Sequence, residues 1–278
     1  MSLTPREEKV LNSILQWESS YFEYEPTDFE ATYERWVKQQ LNQLNPALIE
    51  KMNNGIDAAL FHVHSLIQNS RHQMDVRERL LSEARIFHPE AEEIEDLKAC
   101  SVDQLTYIAQ QQIARSRMLS LAQGGLSGTG GLLLLGIDIP AMIALQVRSI
   151  QYIAMNYGYD IQKPYEMMMS LKVFHASTLP KRYQHESWDE LMEEISSGEA
   201  DSFFYVGDES VADISWLSMP LRQGIKGLII TMLKKKVVQG IPLLGVLFGA
   251  GMNYQKSREV TEFAHKFYQK RFLIDKQL

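Results

Sequence analysis

An all-α, multi-helix bundle is the fold class this sequence predicts, and three observations point to it. Helix-start signals recur at Thr4-Pro5-Arg6-Glu7, Asn45-Pro46, Ser101-Val102-Asp103-Gln104 and Asp138-Ile139-Pro140, each joining a capping side chain to a proline, an acid or an amide that suits a first turn. Apolar residues between these signals fall at helical spacing, and no strand alternates with the helices at βαβ spacing. Two glycine-punctuated apolar stretches, 119–147 and 237–252, interrupt the polar background. Both are expected to pack as a central hairpin-like core, because Gly124 to Gly128 and Gly245 to Gly249 carry small residues at the spacing that lets a second backbone approach.

The elements follow in order. The Thr4 capping box opens a first helix that runs to about Phe22. Phe29, Tyr33, Trp36, Val37 and Leu41 give an amphipathic segment from about Asp28 to Leu44, and Asn45-Pro46 opens a third helix through Leu66. Asp75-Val76-Arg77-Glu78 starts another helix that ends near His88, and Pro89 opens a short acidic one bearing Glu90, Glu92, Glu93, Glu95 and Asp96. From Ser101 a long helix carries Leu105, Ile108, Ile113 and Leu119 inward and leads into the first glycine-rich stretch. Asp138 caps the next helix, with Gly158 as its stop. Pro164 and Ser187-Trp188-Asp189-Glu190 open two more, and residues 199–217 form an irregular connection. After Pro242 one long helix places Val260, Phe263, Ala264 and Phe267 on one stripe, with a charged opposite face. The 278 residues therefore read as a single domain, with N-terminal helices over 1–98 and a motif-bearing core over 99–275.

Charge divides the chain unevenly. The net charge is −7, yet residues 1–213 carry 17 Lys+Arg against 32 Asp+Glu, whereas 214–278 carry 11 against 3. The basic end includes Lys234, Lys235 and Lys236 beside the second apolar stretch, a pattern that suits an anionic lipid surface at about 1 kcal/mol per cation. It would equally suit docking on the acidic remainder of the chain. One cysteine, Cys100, excludes an internal disulfide framework, and the N-terminus lacks the apolar run of a secretory signal, which points to the cytoplasm.

No chemistry-bearing constellation stands out. Gly124, Gly125, Gly128 and Gly131 resemble a phosphate loop only in glycine content, because no Gly-Lys-Ser/Thr follows and no strand precedes. His62 and His64 lie two apart and so point to different helix faces, which excludes the zinc-helix pattern. His175 and His185 flank a loop with Lys181 and Arg182 and read as ordinary surface or core residues. No metal or cofactor is expected. Asp138 interrupts an apolar run and could be a buried ionisable group, but the Asp-x-Pro arrangement already accounts for it as a cap. Arg148, further along that helix, either pairs with an acid or extends its head to water. Nucleic-acid binding is disfavoured, since the basic third lacks aromatics interleaved with its cations.

Length bears on the membrane question. A spanning helix needs about 20 apolar residues. Met118 to Ile137 has that length without a charge before Asp138, but its six glycines each cost a helix about 1 kcal/mol relative to alanine. The second stretch reaches only about 24 Å and contains Pro242. Burial between helices or shallow insertion is expected rather than full spanning.

Several of these residues resemble the EcsC family. The glycine-rich turn, Asp138-Ile139-Pro140, a helix bearing Gln146, Arg148 and Ile150, and Tyr157-Gly158-Tyr159-Asp160 resemble one of its motifs. Gly240-Ile241-Pro242-Leu243-Leu244-Gly245 and Gly249-Ala250-Gly251-Met252-Asn253, with Ala264 and Arg271 downstream, resemble another, so that the likeness covers roughly residues 100–275. The glycine density of 124–131 departs from the pattern. The resemblance implies a bacterial, mostly helical protein named for a gene beside those of an ABC transporter's ATPase and membrane subunits. It implies no established reaction.

The leading expectation is thus a non-enzymatic accessory protein, peripheral at the inner face of the cell membrane, with membrane lipid and ABC transporter subunits as partners. Its ligand or packing residues would be Gly124, Gly125, Gly128, Gly131, Asp138, Pro140, Arg148, Gly245, Gly249, Gly251 and Asn253, and its membrane-surface residues Lys234, Lys235 and Lys236. The alternative is a cytosolic protein enclosing a lipid or other apolar ligand between the glycine-rich segments. A hydrolase built on Asp138 or Cys100 ranks below both, because neither residue has a base assigned to it.

Overall fold

The computed structural model describes residues 2–23, 70–127, 135–179, 181–196 and 242–277, and these are helical with no strand among them. Seven α-helices are α1 (Pro5–Phe22), α2 (Ser70–Ala84), α3 (Val102–Ser127), α4 (Leu135–Asn156), α5 (Pro164–Thr178), α6 (Lys181–Ser196) and α7 (Pro242–Asp275), with a 3₁₀ helix at Ile94–Ala99 between α2 and α3. The expected helices over 28–44 and 46–66 and the 199–217 connection lie outside the described residues.

Local signals explain most helix ends. At α1 the Thr4 side chain accepts from the Glu7 amide and the Glu7 carboxylate accepts from the Thr4 amide, so two orphan donors are satisfied reciprocally. The Ser101 box at α3 works the same way, with the Ser101 amide donating to Gln104 Oε1 at 2.8 Å and the Gln104 amide to Ser101 Oγ at 3.4 Å. Helix α4 stops as expected at glycine. Gly158 has φ +83°, its amide donates to the Met155 carbonyl, and the Tyr159 amide reaches back to Ala154, the two bonds of a Schellman ending.

Five boundaries differ from expectation. Helix α2 already includes Ser70–Met74, ahead of the expected start at Asp75, and ends at Ala84 rather than near His88. The acidic segment after Pro89 is not a helix until Ile94, because the Asp96 carboxylate takes the amides of Glu92 and Glu93 and holds them outside helical pairing. Residues 135–138 already belong to α4, so Asp138 lies inside the helix and is not its N-cap. Helix α6 starts at Lys181, which leaves Ser187 interior and places His185 on the helix rather than beside a loop. Leu119 is 58% exposed and does not enter the core.

Helix α7 carries the expected stripe. From Val260 to Asp275 none of its residues is exposed, and the charged face opposite the stripe, with Glu262, Lys266 and Lys270, is half-buried against its neighbours. It packs most extensively on α3, then on α4 and α5, and touches α1. Its centre holds Phe263, Ala264, Phe267, Tyr268 and Leu273, all at 0% exposure. The described core is therefore organised on the second half of α7. How the glycines themselves pack lies outside the described side chains.

Three hydrogen bonds set the direction of the helices. Asn156 Nδ2 donates to the Leu105 carbonyl at 2.8 Å, which runs α4 antiparallel to α3. Gln269 Nε2 donates to Thr106 Oγ1 at 2.8 Å and Arg117 Nε to Thr261 Oγ1 at 3.1 Å, which runs α7 antiparallel to α3 as well. The C-terminus of α3 and the N-termini of α4 and α7 therefore converge on one end of the bundle.

Candidate functional site

The two ends of the bundle differ in chemistry. At the end where α4 finishes and α5 starts, polar groups are buried and paired. Arg271 on α7 donates two 2.7 Å hydrogen bonds to the two oxygens of Glu166 in the first turn of α5. Its guanidinium carbon lies 3.9 Å from the Tyr159 ring centroid, and the Tyr159 hydroxyl donates to Asp275 at 3.0 Å. Lys98 joins the same carboxylate at 3.3 Å and covers the other aromatic contact, 4.4 Å from the Tyr159 centroid. Arg77 on α2 donates to Asp160, which also accepts from the Gln162 amide.

Burial sets the electrostatics of this end. It opposes the Arg271 charge, yet the hydrogen bonds and charge of Glu166 outweigh it and raise the guanidinium above its ordinary value. Burial drives the hydroxyls of Tyr159 and Tyr268 far above ten and pushes Tyr165 up to about 12. All three stay neutral. One layer further in, the Tyr157 hydroxyl meets His265 Nε2 at 2.9 Å, and burial, aided by Lys266 and Arg117, pushes this imidazole down to about 4. These groups cross-link helices.

Candidate nucleophiles fare poorly. Cys100 is buried, and burial raises its thiol, opposite to the shift that activates a cysteine. His185 is 3.6 Å from Asp189 on an exposed helix face and stacks on Phe22. Lys181 is pushed down to about 8 by burial, with its ammonium 3.1 Å from the Tyr21 centroid. Among the described residues no group of three His, Cys, Asp or Glu side chains is placed to hold a metal ion.

The opposite end gathers most residues singled out from sequence. Gly124 and Gly125 belong to the last turn of α3, and Gly245, Gly249 and Gly251 to the first turns of α7. Asp138 and Pro140 lie in the first turns of α4. Gly128, Gly131 and Lys234, Lys235 and Lys236 are outside the described residues. Asn253 is buried, and its Nδ2 finds no hydrogen-bond partner among the described residues. Arg148 is half-buried on α4 without an acidic partner among the described residues. Between Asp103 and Ser127 on α3, and from Pro242 to Arg258 on α7, there is no acid, whereas Arg115, Arg117, Lys256 and Arg258 are present. No helix among the described residues is long and apolar enough to cross a membrane.

Sequence reasoning missed Glu166, Tyr165, Tyr268 and His265. The available signal was ionisable and phenolic residues set inside apolar helical stripes, such as Arg271 between Tyr268 and Phe272.

The fold and its polar interior define a class first: an all-α bundle whose last helix is the central one, clamped by a buried arginine–glutamate pair against a tyrosine. Its motif residues then place it more narrowly. The chain belongs to the EcsC protein family, whose model matches residues 8–273. It is similar to the uncharacterized protein YdbA of Bacillus subtilis (strain 168), with 25% identity over 271 residues, 96% of this chain and 92% of that one. No solved structure matches it.

Proposed function

We propose that this protein is a non-enzymatic accessory protein that attaches peripherally to the cytoplasmic face of the cell membrane, in the service of an ABC transporter. One observation carries the membrane part of the reading: both apolar, glycine-punctuated stretches begin or end at the same end of the bundle, where α3 beyond Asp103 and α7 before Glu259 carry cations and no acid, and Asp138 on α4 is the acid nearest them in sequence. A lone glycine-rich segment would be accounted for by packing, whereas two at one end with these cations suit a lipid surface. Lys234, Lys235 and Lys236 precede the second stretch by only a few residues and would add about 1 kcal/mol each near anionic lipid. The transporter part rests on the family resemblance.

Co-sedimentation of the intact chain with neutral and anionic vesicles tests the attachment, with a Lys234→Ala/Lys235→Ala/Lys236→Ala variant alongside. Sedimentation with vesicles, weakened in the variant, is the expected result. A chain that stays in the supernatant with both vesicle types would overturn this reading and favour the enclosed apolar ligand instead.

A further inference from the structure

Helices α3 and α7 both change the chemistry of their buried face partway along. On α3, Leu105, Ile108, Ala109 and Ile113 are buried, and beyond Ile113 the buried positions among the described residues are Ser116 and Ser120. On α7, Val260, Phe263, Ala264 and Phe267 are buried, and before Val260 the buried positions are Asn253 and Ser257. Each polar pair is spaced by one helical turn and so occupies one helix face. In these stretches α3 and α7 bury no large apolar side chain.

The two polar pairs belong to one stretch of the α3–α7 contact. Arg117 of α3 bonds to Thr261 of α7; Ser116 directly precedes the first, and Ser257 lies one turn from the second. Helix α4 supplies the apolar side chains at this level, Met142, Ile143 and Val147, together with the buried Gln146. Asn253 is 8% exposed, and its Nδ2 has no hydrogen-bond partner among the described residues, so closing the helices leaves a donor unsatisfied that water would pair. Beyond Arg117 and Thr261, toward the glycines, no hydrogen bond joins α3 to α7 among the described residues. The other half of the bundle is held by Gln269 on Thr106 and Arg271 on Glu166. Further along the same two helices, Gly124 and Gly125 of α3 and Gly245, Gly249 and Gly251 of α7 lower helix propensity.

We infer that α3 and α7 separate locally over residues 116–120 and 253–257, as one unit, while the half of the bundle that holds Arg271 and Glu166 stays closed. Separation there exposes hydroxyls and an amide, which water satisfies. Separation of the other half would expose Phe263 and Phe267 and strip a buried ion pair of its cover, which is far more costly. The glycine-bearing ends of α3 and α7 can thus part without unfolding of the clamped half. Opening of this kind needs no membrane and is a property of the chain alone.

Native-state hydrogen exchange of the full chain, without vesicles and in urea kept below the unfolding transition, tests this. Amides over 116–120 and 253–257 should exchange on the order of a hundredfold faster than those over 105–113 and 263–273, with little dependence on urea. Asn253→Leu removes the unpaired amide and adds an apolar side chain, so it should slow exchange about tenfold, over 116–120 on α3 as well as over 253–257 on α7. That effect across the two helices separates joint opening from fraying of each helix by itself. Ser120→Ala, a smaller change that keeps the fold even where leucine at 253 does not fit, should likewise slow exchange over 253–257. Equal protection along the whole of both helices would overturn the inference. So would variants that each alter exchange only on their own helix, or that leave exchange at this end as it is in wild type.

Discussion

Replacing Arg271 with methionine isolates the central polar contact of the bundle. The substitution keeps an unbranched apolar stem and deletes a guanidinium that is 5% exposed, facing a Glu166 side chain that is 10% exposed. Removing one partner of a buried ion pair costs roughly 3–5 kcal/mol, because the other charge is left without compensation. The lower value, about 3 kcal/mol, applies here, since Glu166 lies in the first turn of α5, where the helix N-terminus still favours a carboxylate. At about 2–4 °C per kcal/mol for a chain of this size, the midpoint of thermal unfolding should fall by roughly 6–12 °C.

The reciprocal change, Glu166→Met, should cost at least as much, since it strands Arg271 between the Tyr159 and Tyr165 rings, 3.9 and 5.6 Å from their centroids. The double variant removes both charges and should recover to within about 1 kcal/mol of wild type. Urea unfolding followed by circular dichroism gives all three differences, provided the slopes agree. Single variants within about 1 kcal/mol of wild type, or a double variant as unstable as the sum of the singles, would refute the claim that the pair is desolvated and mutually dependent.

Two further predictions concern neighbouring features. Gly158→Ala should destabilise by about 2 kcal/mol, because alanine in the left-handed region costs about 1–2 kcal/mol and its Cβ would lie 2.5 Å from Lys98 Cγ. In a Lys98→Ala background the contact part should vanish, so an undiminished loss there would show that the clash contributes nothing. For His265 the folded-state value is depressed to about 4 from 6.5. The unfolded chain then binds the extra proton first, and stability should be complete above pH 6.5 and decline as pH falls toward 4. That window lies above the range where Glu7, held low chiefly by Lys276, loses its contribution. For a half-buried ring the decline should be on the order of 2 kcal/mol, and it should flatten in His265→Gln; an identical pH profile in that variant would remove His265 as its source.

Capping chemistry was readable in the sequence because it is local. The Thr4 and Ser101 boxes and the Gly158 ending each involve residues within a few positions, and the structure forms all three. Asp138 misled for the same reason. Asp-x-Pro satisfies a local start rule, but the residues before Asp138 are already helical from Leu135, so the local rule does not decide where α4 begins. The partnership of Arg271 with Glu166 was hidden because 105 residues separate them, and only the antiparallel pairing of α7 brings them together. The cover over the second half of α7 was hidden too. Its face is charged, as expected, yet Lys270 and, just past the helix, Lys276 end on Glu18 and Glu7 of α1 at 2.6 and 2.7 Å, which places those ammonium groups against another helix.

Those contacts also answer a question that apolar packing leaves open. A helix covered on all sides by apolar neighbours gains similar burial in several rotations and at neighbouring registers, because area is indifferent to which side chain supplies it. Helix α7 is addressed by a different polar group on nearly every neighbour: Glu262 to Trp17 of α1, Thr261 to Arg117 and Gln269 to Thr106 of α3, and Arg271 to Glu166 of α5. A one-turn slip would break all four at once and leave buried donors unpaired, a cost that grows with each contact. The register is therefore specified redundantly. It follows that Arg271→Met/Glu166→Met should keep the native arrangement as well as most of the stability, with the remaining three contacts still holding α7 in place. A double variant that retains helicity but loses the near-ultraviolet signal of Trp17 and Trp188 would instead show that the ion pair alone sets the register.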